Sequence, residues 1–596
     1  MEVKARKEMD PAYQWDFSHI FPTREAWEEA YAEAGQAGAA IAAVPGTLSV
    51  SPESLKKGLE TVYAAGQKVE LVYLYAMLHK NSDNGDAEYQ TMEGRAIQLY
   101  MSFQMGIAFL EPELLAMDQE KLHEWIELPE MALYHHVAED MIRGAAHVLS
   151  AEQEAMLAQL GDAAGTPRDT FDMLESVDMT FPNIHDEQGN EVPLTHGSYG
   201  VYLHSRKPEV RKEAYETYFK EFNKYIHTWT AMYAGSVKFD TFYSRVRHYD
   251  SACEAALFGS NVPVSVYDSL VEAIHGGLPT MKRYLALRKK VLGLESLGMY
   301  DLYCPMVDEV EFKMPFADGM ELVKKATAPL GERYRELLEL AESNHWMDVY
   351  ENKGKTTGAF SCGVFGVHPY VLLNYTDTLD DAFTLAHELG HAMHSYFSSE
   401  AQDYVNHDYR IMVAEVASTV NEVLLTKYLL SVETDKKRRA YILNNFLESF
   451  RTTIFRQTLF AEFERIAHNM YMQGTPLTAQ TLSEEYQKLN ELYYEGAEVG
   501  ELHKFEWALI PHFYNAFYVY QYATGFSSAV AIADAILETG NAENYLRFLS
   551  TGGSDYPLEE LKLAGIDLTG PSVVADAMRI FDETSDELAA ILEIEL

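Results

Sequence analysis

Two histidines four residues apart, His387 and His391, stand in the run His387-Glu-Leu-Gly-His391, with Glu388 directly after the first. On an α-helix a four-residue step brings both imidazoles to one face, one turn apart, where they can share one tetrahedral metal ion. Glu388 then lies beside that face, within reach of a water on the ion, and is the candidate general base. Gly390 supplies no chemistry; its missing side chain permits close approach of another segment to the back of the helix. A catalytic zinc site needs a third protein ligand and an open position. The candidate is Glu415, which follows His387 by 415 − 387 = 28 residues. It lies in an apolar run, Arg410 to Leu425, in which Glu415, Ser418 or Thr419, and Glu422 share one face at three- and four-residue steps. Such a polar stripe is costly to bury without partners, and facing a metal and the groups around it would satisfy it. His394 is a rival ligand, but three ligands spread over seven residues span about 10.5 Å of helix and strain a tetrahedral site. His394 is therefore expected in the surroundings of the ion.

These residues need a helix, and the surrounding sequence predicts one. Asp377 or Thr378 can cap its start, Asp380 and Asp381 suit the first turn, and Phe383, Ala386 and Met393 offer an apolar face. Just before it, Gly358, Gly363 and Gly366 exclude a helix, and Pro369 to Tyr375 reads as a short strand rich in large apolar residues. A second β-like stretch spans 178–195, where apolar alternation gives way to a Gly189-Asn190 turn before Val192. The rest has the three- and four-residue apolar spacing of helices. The expected fold is mainly α with a small β-sheet beside the metal site. A boundary is expected near residue 200, between an N-terminal helical domain, 1–200, and a catalytic domain, 201–596.

The chain of 596 residues is 47% hydrophobic, enough for a large core, and its 47 basic against 91 acidic side chains give a formal net charge of -44. That balance repels phosphate backbones and argues against nucleic acid as a partner. The first ten residues lack the apolar run of a secretory signal, and no apolar stretch is long enough to span a bilayer. Three scattered cysteines, Cys253, Cys304 and Cys362, suit a reducing compartment. The expected location is the cytoplasm, without membrane attachment.

His387-Glu-Leu-Gly-His-Ala-Met-His394, followed by Glu415-Val-Ala-Ser-Thr419, resembles the thimet oligopeptidase family of metallopeptidases. Trp15-Asp-Phe-Ser-His-Ile-Phe-Pro22 and Tyr518-Val-Tyr-Gln-Tyr-Ala-Thr-Gly525 resemble its bacterial oligoendopeptidase F branch, and the similarity runs from residue 15 to about 580. The resemblance implies one zinc ion per chain, a helical body enclosing a deep channel, and short peptides as substrates. It also implies that an edge strand near the metal pairs with extended substrate, which the sequence places at Pro369 to Tyr375, with Gly363 and Tyr370 as substrate-binding residues. A histidine and tyrosines from the region of His503, His512, Tyr514, Tyr518, Tyr520 and Tyr522 are implied to hydrogen-bond the substrate carbonyl and oxyanion. Tyr514, Tyr518 and Tyr522 fall on one helical face and are assigned to substrate binding; equally, such a cluster can be aromatic core. Phe517 stands where the family often has tyrosine, which leaves Tyr520, with His512, as the matched catalytic donors. The expected reaction is hydrolysis of an internal peptide bond by metal-activated water. The rivals are an exopeptidase that releases dipeptides by the same chemistry and a peptide-binding protein without activity. Oligomeric state is not legible.

Overall fold

The computed structural model describes residues 3–308, 310 and 312–595. Helices carry most of the chain, and the β-structure among the described residues is confined to one two-stranded and one three-stranded sheet. None of the described helices is long and apolar enough to cross a membrane. The chain divides into two compact units, each built from three separate segments. One comprises Met1–Val148, Phe312–Tyr428 and Ile532–Ile566; the other comprises Leu149–Glu311, Leu429–Ala531 and Asp567–Leu596. The expected boundary near residue 200 is a single cut in the sequence, whereas these units are interleaved along it.

In the first unit the long helix Pro52–Ser82 starts where Ser51 Oγ accepts the Ser54 amide at 3.2 Å, with Pro52 at the first position, where its missing N–H is no loss. Leu55, Leu59, Val62, Val69 and Val72 form its buried face. Helix Arg24–Ala40 packs on it through the buried Trp27, whose Nε1 donates to Val72 O at 3.0 Å.

The sheet of this unit has Tyr370–Leu372 in the middle, parallel to Met347–Asp348 and antiparallel to Phe360–Cys362. This corrects the expected edge: the strand predicted over Pro369 to Tyr375 is the central one, and the edge strands are Met347–Asp348 and Phe360–Cys362. Tyr370, Val371 and Leu372 are all buried, and the Tyr370 hydroxyl donates to Asp16 O at 3.2 Å, so the Tyr370 side chain is an interior one. An apolar run without alternation is buried on both faces, which is the mark of a middle strand.

The N-terminal segment is fastened to this sheet. Trp15 Nε1 donates to Trp346 O at 3.1 Å and Val371 O at 2.9 Å. Buried Asp348 is held by Arg6 and by Lys355 Nζ at 2.8 Å. Two cations and the Trp15 amide around one carboxylate satisfy a charge that would otherwise be costly to bury.

The second unit packs helices Val264–Val291 and Lys436–Phe450 against Ser572–Ile591. Helix Pro208–Lys224 begins with proline at its first position, as the sequence predicts. The expected hairpin is present but short, Ile184–His185 against Glu191–Val192. Val177 belongs to a π-turn, Leu174–Asp178, so the apolar alternation read there is not a strand. A second π-turn, Arg451–Phe455, joins Lys436–Phe450 to helix Arg456–Met472.

Candidate metal centre

The motif lies within helix Leu379–Ala401 of the first unit. Thr378 is its cap: Thr378 Oγ accepts the Asp381 amide at 3.2 Å and Asp381 Oδ2 accepts the Thr378 amide at 2.9 Å. Leu385, Ala386, Leu389 and Met393 are buried, which turns the opposite face, with His387 and His391, outward.

Helix Ile411–Val432 supplies the third group, and the two helices touch at Gly390. A Cβ on Gly390 would stand 2.6 Å from Ser418 Cα and 2.7 Å from Ala417 O. Glycine is what lets the backbones meet, as the sequence anticipated. Buried Asn421 ties the helices as well, donating Nδ2 to Ala386 O at 2.9 Å and accepting the Tyr334 hydroxyl at 2.9 Å. Asn421 reads in the sequence only as one more polar residue; a lone amide on an apolar helix is the signal that it has a fixed partner.

This contact brings His387 Nε2 and His391 Nε2 to 3.2 Å and puts Glu415 Oε2 at 3.5 Å from each. These three residues are the one such group among the described residues. A tetrahedral ion with nitrogen and oxygen ligands at about 2.0–2.1 Å needs ligand atoms about 3.3–3.4 Å apart. The triangle fits that requirement. The hydrogen bonding fits it too: His387 Nδ1 lies 2.5 Å from Glu422 Oε1, which fixes the proton on Nδ1 and directs the Nε2 lone pair toward His391 and Glu415. Two Nε2 atoms turned toward one another are explained by an electrophile between them. Ser418 Oγ donates to Glu415 Oε2 at 3.1 Å, so the polar stripe of this helix is accounted for.

Burial opposes charge on His387, but the hydrogen bond and charge of Glu422 outweigh it and raise the pKa to about 9. The hydrogen bond with His391 holds Glu415 down, against burial, at about 2. Burial pushes Glu388 up, while His387 and His391 pull it down. Glu388 is 7% exposed, and its side chain makes no hydrogen bond among the described residues. Glu422→Ala, which removes the partner of Nδ1, is expected to weaken metal binding about 10- to 100-fold in a chelator competition titration; affinity equal to the parent's would remove Glu422 from the site.

His394 is outside this group. It is fully buried, stacked on Tyr409 at 3.7 Å, and its two nitrogens have no hydrogen-bond partner among the described residues. Burial pushes its pKa down to about 3. Gly363 follows the edge strand and packs on the motif helix: a Cβ there would stand 2.4 Å from Ser395 Cβ. Cys362, on the same strand, has its thiol pushed up to about 11 by burial, the mark of a structural cysteine.

The His/Tyr segment belongs to the second unit. Half-buried His512, Tyr518 and Tyr522 group together, with Tyr518 and Tyr522 edge to face at 5.4 Å and His512 and Tyr522 at 6.0 Å. Tyr514 instead packs on Phe171 at 5.0 Å, and buried Tyr520 on Tyr267 at 5.3 Å. The regular helix begins only at Tyr520, so the single face expected for Tyr514, Tyr518 and Tyr522 does not form.

Comparison with known proteins completes the description. Residues 201–580 match the model of peptidase family M3, and residues 113–181 match that of oligopeptidase F. The chain is 41% identical to oligopeptidase PepF of Bacillus subtilis (strain 168), over 99% of this chain and 89% of that protein. A crystal structure from Chlamydophila abortus superposes with a TM-score of 0.94 at 32% identity, covering 99% of this chain and 100% of that one. That of oligoendopeptidase-F from Enterococcus faecium superposes with a TM-score of 0.73 at 36% identity, covering 96% of this chain and 99% of that one.

Proposed function

The chain belongs to peptidase family M3, and from that premise we propose that it is a zinc endopeptidase that hydrolyses internal bonds of short peptides. The observation that carries the metal reading is the triangle of His387 Nε2, His391 Nε2 and Glu415 Oε2, with edges of 3.2, 3.5 and 3.5 Å. Two imidazoles and one carboxylate are a donor set suited to zinc in a catalytic site. When bound, zinc supplies Lewis acidity toward water and the scissile carbonyl.

The protein's own part is proton handling and orientation. Glu388 takes the proton of the attacking water and returns it to the leaving amine. Its burial favours the neutral form, which makes the carboxylate a stronger base than an exposed one. Glu422 keeps His387 in one tautomer and orientation, and Ser418 does the same for Glu415. The free side of Phe360–Cys362 offers main-chain groups to an extended peptide, a mode of recognition that tolerates many side chains. His512, Tyr518 and Tyr522 are assigned as hydrogen-bond donors to substrate in preference to the buried Tyr520.

The test is an internally quenched peptide blocked at both ends. Cleavage is expected, lost on chelation and restored by zinc. An exopeptidase leaves such a peptide intact, and zinc-independent cleavage would remove the metal reading.

A further inference from the structure

We propose that Arg451 and Arg456, with the hydroxyl of Tyr303, form a binding site for the C-terminal carboxylate of a peptide. The π-turn Arg451–Phe455 creates the arrangement. In a regular α-helix residues five apart point about 140° away from each other; one extra residue in the turn brings Arg456 to about 40° from Arg451, as if they were four apart. Single π-turns of this kind are rare and recur at functional sites.

The charges around the pair do not cancel. Glu448 is shared between Arg288 and Arg451, which donates Nε at 3.1 Å and Nη2 at 2.7 Å. Glu506 accepts from Arg456 Nη1 at 2.7 Å and from the Tyr486 hydroxyl at 2.5 Å, with His503 Nε2 at 3.2 Å. Three guanidinium groups thus face two carboxylates, an excess of 3 − 2 = 1 positive charge before His503 is considered. The excess is unexpected within a chain of formal net charge -44. Positive charge in a buried setting is costly until an anion meets it.

Donors for that anion are in place. Arg451 is 1% exposed, and its Nη1 has no partner among the described residues; nor do Nε and Nη2 of Arg456, which is 20% exposed. Arg288 Nε is sealed from solvent without a partner among the described residues, whereas none of these three nitrogens is sealed. The Tyr303 ring lies under Arg451 at 4.8 Å, and the Tyr303 hydroxyl has no hydrogen-bond partner among the described residues. Arg456 acts on His512, adding to the lowering that burial imposes there. Forked planar donors match a carboxylate. The α-carboxylate is the one such group that every unblocked peptide carries. The choice of a peptide as ligand rests on the peptidase reading; the charge excess and the spare donors do not.

The test uses the metal-loaded, full-length Glu388→Gln protein, which is expected to turn peptides over about 10²- to 10⁴-fold more slowly than the parent, and calorimetry with one octapeptide as free acid and as amide. The free acid is expected to bind about 10- to 100-fold more tightly, the worth of charge-assisted hydrogen bonds. Arg456→Gln should close that gap by weakening the free acid. Tyr303→Phe, which removes one hydroxyl and keeps the ring under Arg451, should narrow it about 2- to 10-fold. Equal affinity for acid and amide, or equal weakening of both by Arg456→Gln, would overturn the proposal. So would a third peptide, an amide ending in glutamate, if it alone bound tightly, since the ligand would then be a side-chain carboxylate. If the parent protein hydrolyses neither peptide but the preference for the acid holds, the peptidase reading falls and the site stands.

Discussion

Glu388→Gln is expected to bind the metal as the parent does and to hydrolyse peptides about 10²- to 10⁴-fold more slowly, the range that a positioned general base supplies. The substitution keeps size and removes only the capacity to take a proton. His387, His391 and Glu415 hold one another through contacts that do not include Glu388, so metal affinity should change little. The parent's rate should fall with acid as Glu388 is protonated, because the base form is the active one, and the variant should lack that limb. The two measurements are a metal titration and a rate–pH profile of both proteins. Turnover by the variant within about tenfold of the parent would show that another group moves the proton.

Gly390→Ala is expected to damage the same site by a route that touches no ligand. The added methyl would stand 2.6 Å from Ser418 Cα, 2.7 Å from Ala417 O and 3.0 Å from Ser418 N. Ordinary contacts between heavy atoms lie at about 3.5–4.0 Å, so the helices must part by about 1 Å. Glu415 is one turn from Ser418, and ligand distances in a metal site tolerate only about 0.2 Å. Metal affinity should fall by at least about 100-fold, beyond the loss of a supporting residue. Overpacking should also cost about 1–3 kcal/mol, partly offset by the better helix propensity of alanine. Thermal unfolding of the chelated variant separates the two effects. Parent-like metal affinity would mean that the helices can separate without moving Glu415.

Much of this centre is legible in the sequence because it depends on helical periodicity, a local property. The four-residue step of His387 and His391, the cap before Leu379 and the polar stripe from Glu415 to Glu422 are all read within about two turns of each residue concerned. Gly390 is legible as a place of close approach, though its partner, Ser418, is not. The strand order escapes because adjacency in a sheet is set by packing between distant segments: Phe360–Cys362 and Tyr370–Leu372 differ little in composition, and only the unbroken apolar run of the latter hints that it lies inside. The π-turn at Arg451 escapes altogether, since five residues of ordinary helical composition, Arg-Thr-Thr-Ile-Phe, carry no mark of the added residue. The interleaving of the two units is likewise invisible to any window that moves along the chain.

The fastening of Trp15 to the sheet has a consequence for synthesis. Its carbonyl partner at Trp346 lies 331 residues further along the chain. At translation rates of about 5–20 residues per second, the indole waits roughly 15–70 s after leaving the ribosome before that partner exists. The sheet beside the metal ligands is thus closed by the oldest part of the chain returning to a newly made one. A ribosome stalled before residue 346 would hold an amino-terminal segment with its tryptophan unclaimed, an exposed apolar site for a chaperone and a point at which the fate of the nascent chain is open.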